Sequence, residues 1–94
     1  MDQTDLDRLR ENERAFADAN EQIRDAAERN DVEPVPFLCE CSARNCTDLI
    51  SLRPDEYRRV RASGGFMIRP GHDDPHVERV VADHGSYQVV EKFR

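Results

Sequence analysis

Cys39-Glu40-Cys41-Ser42-Ala43-Arg44-Asn45-Cys46 holds every cysteine of the chain. Three thiols cannot close a disulfide framework. Clustered thiols in a reducing compartment favour a metal. Zinc takes four soft or borderline ligands in a tetrahedron, and Cys3His is a standard closed set. Cys39 and Cys41 are two apart at the end of an expected strand, so their side chains share a side. The turn at 42–45 folds back to offer Cys46, and Asn45 suits the left-handed conformation such a turn needs. Loop amides can donate to the thiolates.

The fourth ligand comes from elsewhere. In Arg69-Pro70-Gly71-His72 a tight turn presents His72 towards the loop, with His76, His84 and Asp73 as alternatives. The usual zinc knuckle leaves two residues between cysteines, whereas Cys39 and Cys41 leave one. Three ordinary half-buried thiols, an iron–sulfur site and a redox Cys39–Cys41 pair are the competing readings. A closed Cys3His set has no open position for water, so it holds structure and does not catalyse.

On either side of the loop the pattern reads as an α+β fold. Residues 4–30 form one long helix, capped by Thr4 or Asp5, with Asp5 and Asp7 at its positive end. Its apolar stripe, Leu6, Leu9, Phe16, Ile23 and Ala27, is thin. Asn20 sits on that seam. Either it fixes the register of a weak coiled-coil dimer, or the helix lies across its own domain. Pro34-Val35-Pro36 is stiff and extended. Val35–Cys39 and Thr47–Leu52 are expected as a hairpin around the cysteine loop. Pro54 opens a second helix and Gly64-Gly65 stops it. Phe66–Arg69 is a third strand. Asp74-Pro75 is expected to start a third helix with Val77, Val80 and Val81 facing in, ended by Gly85 at C′. Ser86–Phe93 is the last strand, with Tyr87, Val89 and Phe93 on one face. The expectation is therefore a long helix, then strand-strand-helix-strand-helix-strand in a small, mostly antiparallel sheet stapled by the metal. It divides into an acidic helix over 1–33 and a zinc-stabilised domain over 34–94.

Residues 1–33 hold 11 Asp/Glu against 5 Arg, a net of −6, while 34–94 hold 9 acids against 9 bases, a net of 0. A pI near 5.0 argues against phosphate backbones as partners. Arg53, Arg58, Arg59, Arg61 and Arg69, with Arg44, form a basic cluster in sequence. It can hold phosphate, or it can pair with Asp55, Glu56 and the acidic first helix. There is no aromatic run for base stacking, and Gly64-Gly65 lacks the Lys-Ser/Thr of a phosphate loop. His72-Asp73-Asp74-Pro75-His76 looks like a metal-hydrolase fragment, but a helix start at Pro75 separates the two imidazoles. No apolar run approaches the roughly 20 residues of a membrane span. The acidic start has no signal-peptide character, so a cytoplasmic setting is expected.

Phe37-Leu38-Cys39-Glu40-Cys41, then Cys46, Leu52-x-Pro54-x-Glu56-Tyr57-x-x-Val60-Arg61, Pro70-Gly71-His72 and Val77-Glu78-Arg79-Val80-Val81 together resemble a family of small uncharacterised actinobacterial proteins. The likeness runs over the whole chain, including the Arg10–Arg14 run of the first helix. Such proteins carry Ser or Thr before the helix-opening proline, where Arg53 stands here. The resemblance implies that His72 and the cysteines form one unit. It implies no activity. The expectation is a non-enzymatic, zinc-stabilised binding or regulatory module, with helix 1 pairing with itself or with a partner protein. The alternatives are nucleic-acid binding through the arginines and a thiol enzyme using Cys39 or Cys41.

Overall fold

A computed structural model describes residues 3–43 and 46–93, and the side chains of the first helix from Arg14 onward. Helix α1 spans Gln3–Arg29. The capping by Thr4 or Asp5, the side chains of Leu6 and Leu9, and the turn residues Arg44 and Asn45 lie outside what is described. Asp31, with φ 54°, turns the chain out of α1, and the Val32 amide donates to the Ala27 carbonyl at 2.9 Å. That bond closes the helix end in the manner of a Schellman cap.

Strands β1 (Val35–Leu38) and β2 (Leu49–Leu52) pair antiparallel, with Phe37 opposite Ile50. Strict alternation along both strands sends Val35, Phe37, Ile50 and Leu52 into the core. Pro36 lacks an N–H, and the strand accommodates it because β1 has a sheet partner on one side only.

Helix α1 covers the other edge of β1. Asn20, fully buried, donates from Nδ2 to the Leu38 carbonyl and accepts the Leu38 amide on Oδ1, both at 2.8 Å. A side-chain amide thus stands in for a neighbouring strand. Of the two placements open to the helix, lying across its own domain is the one found for its second half, where Ala17, Asn20 and Ala27 are buried.

Helix α2 (Pro54–Ala62) begins at its proline, as the sequence predicts. Arg53 at the N-cap makes no side-chain capping bond. Gly64, at φ 82°, and Gly65 end the helix, with the Gly65 amide on the Val60 carbonyl at 3.3 Å. Gly65 is required for a different reason than Gly64. A Cβ there would lie 2.5 Å from Val89 Cγ1. Gly65→Ala is expected to cost about 1–3 kcal/mol through this overpacking, measured as a fall in the denaturant midpoint at unchanged slope.

The second sheet has the order β3-β5-β4, all antiparallel, with β3 at Phe66–Ile68, β4 at Glu78–Asp83 and β5 at Gln88–Lys92. Here the structure corrects the sequence reading. Asp74 does cap a turn: its Oδ1 accepts the His76 amide, and its carbonyl accepts the amides of Val77 and Glu78, each at 3.0 Å. The turn ends there, and the third helix is a strand. Glu78, 1 % exposed, holds the switch point by accepting the Asp74 amide at 3.1 Å and pairing with Lys92. Val80 and Val81, expected inside, are 39 % and 49 % exposed. A bulge between Val80 and Ala82 breaks the strand's alternation, so the valine spacing imitates a helix. Gly85, at φ 85°, turns the β4–β5 hairpin instead of ending a helix. Tyr87 and Val89 face the core as expected, whereas Phe93 is half exposed.

The architecture is α+β: a long helix, a two-stranded sheet, a second helix and a three-stranded sheet. Among the described residues no helix is long and apolar enough to cross a membrane.

Candidate metal centre

Cys39, Cys41, Cys46 and His72 come together. One ligand atom from each lies within 4.8 Å of the other three. The local structure explains how. Beyond β1 the ladder continues for one residue, the Cys39 amide donating to the Asp48 carbonyl at 3.0 Å. The chain then leaves β2 for the second sheet, and the Glu40 amide donates to the Met67 carbonyl at 2.8 Å. Extended backbone sends Cys39 and Cys41 to one side and Glu40 to the other.

His72 arrives from the second sheet. After β3 the Arg69 carbonyl accepts the His72 amide at 3.1 Å across Pro70-Gly71, and Gly71 has φ 83°. That is a type II turn, with proline and glycine at the positions that demand them. It places His72 Nδ1 3.6 Å from both Cys39 Sγ and Cys46 Sγ. Zinc at ~2.3 Å from sulfur and ~2.0–2.1 Å from nitrogen, with tetrahedral angles, requires S···N edges of about 3.6 Å. The group is therefore positioned to hold a metal ion.

The surroundings support the thiolates. The Arg69 amide donates to Cys39 Sγ at 3.3 Å. The nearby backbone of Cys41 and Ala43 favours the charged form of Cys39 and Cys41 respectively. Burial nevertheless dominates, pushing the Cys39 thiol up to about 12 and the Cys41 thiol up as well. A dication reverses that balance, because it needs the deprotonated sulfurs. On the far side of the ring, Asp48 Oδ2 lies 3.4 Å from His72 Nε2. A carboxylate there favours the tautomer with its proton on Nε2, leaving the Nδ1 lone pair for the metal.

The alternative ligands go elsewhere. His76 is exposed on the turn that follows Asp74, and His84 stacks on Tyr87 at 4.7 Å. Neither they nor Asp73 join the cluster. Asp74 is occupied in its turn, so the hydrolase-like string assembles no second site among the described residues.

Glu40 is the residue the sequence reading missed. It is fully buried between two of the four site residues, yet its carboxylate points into the protein. Oε1 accepts the Met67 amide at 2.8 Å. Oε2 accepts Asn20 Nδ2 at 2.9 Å and the Tyr57 hydroxyl at 2.5 Å. Tyr57 in turn stacks on Phe37 with ring centroids 4.6 Å apart. Burial raises the Glu40 carboxyl above the usual carboxylate range, against the pull of these three donors. Burial and the Glu40 charge both push the Tyr57 phenol up.

Four of the five described arginines of the basic cluster face acids. Arg58 meets Glu28 at 2.6 Å and Arg59 meets Asp55 at 3.1 Å. Arg53 lies between Glu33 and Asp55, and Arg61 lies 3.8 Å from Glu21 and over the ring of Phe66. The acidic first helix supplies part of this pairing. Comparison with family models, curated proteins and solved structures returns no match for this chain.

Proposed function

We propose that this chain is a zinc-stabilised binding module, non-enzymatic and cytoplasmic, in which Cys39, Cys41, Cys46 and His72 hold a structural Zn2+. The observation that carries the reading is the pair of 3.6 Å sulfur–nitrogen edges within a four-ligand cluster. Three thiolates and an imidazole suit zinc, whose preferred geometry is tetrahedral and whose chemistry is not redox. The ion would join the β1–β2 hairpin loop to the turn after β3, stapling the two sheets. Four protein ligands leave no site for a reacting water.

The partner proposed is a protein engaged through α1, as a second copy or a different chain. What favours protein over nucleic acid is charge. Arg53, Arg58, Arg59 and Arg61 face carboxylates already, and the chain's net charge is −6. A thiol enzyme is disfavoured because burial holds Cys39 and Cys41 protonated when no cation is present.

Native mass spectrometry of the purified chain tests the reading, beside Cys46→Ser and His72→Ala. One zinc per chain, lost or weakened in both variants, is the expected result, and a folded wild type that takes up no metal overturns it. Light scattering in the same preparation reads the oligomeric state. Asp48→Ala is expected to weaken zinc about 10–100-fold, measured by chelator competition, because the ring of His72 loses its anchor.

A further inference from the structure

The four-ligand group has two unequal halves. Cys39 and Cys41 are 1 % and 0 % exposed, while Cys46 and His72 are only half-buried. The Arg69 backbone amide donates to Cys39 Sγ at 3.3 Å. Such a bond draws charge from a thiolate and dulls it as a nucleophile. Cys46 Sγ lies 3.6 Å from His72 Nδ1. Thiolate character together with access selects which cysteine oxidises.

We infer that Cys46 is the modification site of this chain, taking two-electron oxidants of the peroxide class and releasing the metal as it reacts. The inference rests on the zinc reading above. In the first step the Cys46 thiolate attacks one oxygen of hydrogen peroxide. The O–O bond breaks, an S–O bond forms, and hydroxide leaves. Sulfur loses two electrons and the peroxide gains them, giving the Cys46 sulfenic acid. In the second step the thiolate of Cys39 or Cys41 attacks the Cys46 sulfur. A disulfide forms and a second hydroxide leaves.

A resolving thiol is in reach, because all four ligand atoms lie within 4.8 Å of one another. The disulfide consumes two of the three thiolates. One thiolate and His72 remain, too few to retain zinc against a chelator. The bridge between the two sheets then opens. A reductant returns both thiolates, so the change is reversible at this rung of sulfur oxidation.

The experiment uses the full chain with its zinc content first measured by native mass spectrometry. Hydrogen peroxide is added with a chromophoric zinc chelator present, samples are trapped with iodoacetamide at intervals, and each cysteine is followed by peptide mapping. Cys46 is expected to oxidise at least about tenfold faster than Cys39 or Cys41 reacts independently. Zinc release should track formation of a disulfide that contains Cys46, and thiol reductant with added zinc should restore the starting species. A zinc-loaded chain in which Cys39 and Cys41 form the first disulfide, or which keeps its zinc through peroxide, overturns the inference and leaves the zinc reading standing. A chain that binds no zinc at all overturns both.

Discussion

Chelating zinc bound at the proposed Cys3His site is expected to abolish cooperative unfolding of this chain. A structural Cys3His zinc contributes on the order of 10 kcal/mol of apparent binding energy at neutral pH. That is comparable to the whole stability of an ordinary domain, roughly 5–15 kcal/mol. The 61 residues over 34–94 are too few to expect a large reserve, since a body of that size buries only about 60 % of its surface. The geometry sharpens the argument. The two sheets are separate ladders, and the described backbone link between them at the site is the Glu40 amide on the Met67 carbonyl. The ligand set adds a second link, with three ligands on the hairpin loop and one on the turn after β3. Without it the sheets keep their own hydrogen bonds and their shared core, but lose the crosslink between the cysteine loop and the turn at His72.

The expected metal-free state therefore retains much of its far-ultraviolet signal, loses amide dispersion and binds a hydrophobic dye. Retained sharp melting after complete zinc removal would sink this expectation. Proton linkage gives an independent check. Burial holds Cys39 at about 12, and raises Cys41, when no cation is present. Both are then protonated at neutral pH, and zinc must displace both protons. For each thiol, affinity should rise about tenfold per pH unit across the neutral range. The sign follows from the raised values: the metal-free fold is favoured by protonated thiols and the loaded one by their loss. Acid is therefore expected to release zinc from the proposed site.

What was legible in the sequence is chemistry fixed by a few neighbouring residues. Cysteines two apart at a strand end must face one way, and a Pro-Gly turn must reverse the chain at His72. Pro54 and Gly64-Gly65 delimit α2 by their backbone limits alone. The segment 74–83 reads as a helix for a physical reason. Asp74-Pro75 is a true turn start, and Val77, Val80 and Val81 carry helical spacing, but a bulge in a strand yields the same spacing. Asn20, Glu40 and Tyr57 were legible only as an odd amide, a loop acid and an aromatic of the second helix. Their bond network forms where α1, the β1 extension and α2 converge. No local pattern reports that convergence. Asp48 was hidden likewise, since a polar residue beside a loop is the commonest thing a sequence shows.

Glu40→Ala will destabilise the zinc-saturated chain by about 3–5 kcal/mol, through the cavity it leaves and the buried donors it strands. The carboxylate receives three donors, from Asn20, Tyr57 and the Met67 backbone. Truncation leaves a cavity and strands the Met67 amide, while the Tyr57 hydroxyl keeps only a long 3.5 Å approach to the Ala17 carbonyl. Asn20 retains Leu38, so α1 should stay docked but loosened. Glu40→Gln keeps the volume and separates packing from polarity. Its single carbonyl oxygen can satisfy one side, and its amide then points donors at donors. The expected cost is about 1–3 kcal/mol. Denaturant midpoints at matched zinc occupancy measure both, and a neutral Glu40→Ala would remove the network from the account of stability. Titration adds a directional test. Burial is the largest influence on Glu40 and raises its pKa in the fold. Its contribution is complete below the unfolded value and is lost as pH rises through the folded one. The advantage of wild type over Glu40→Gln should therefore shrink with rising pH, opposite in sign to the zinc dependence, so the two can be separated in one pH series.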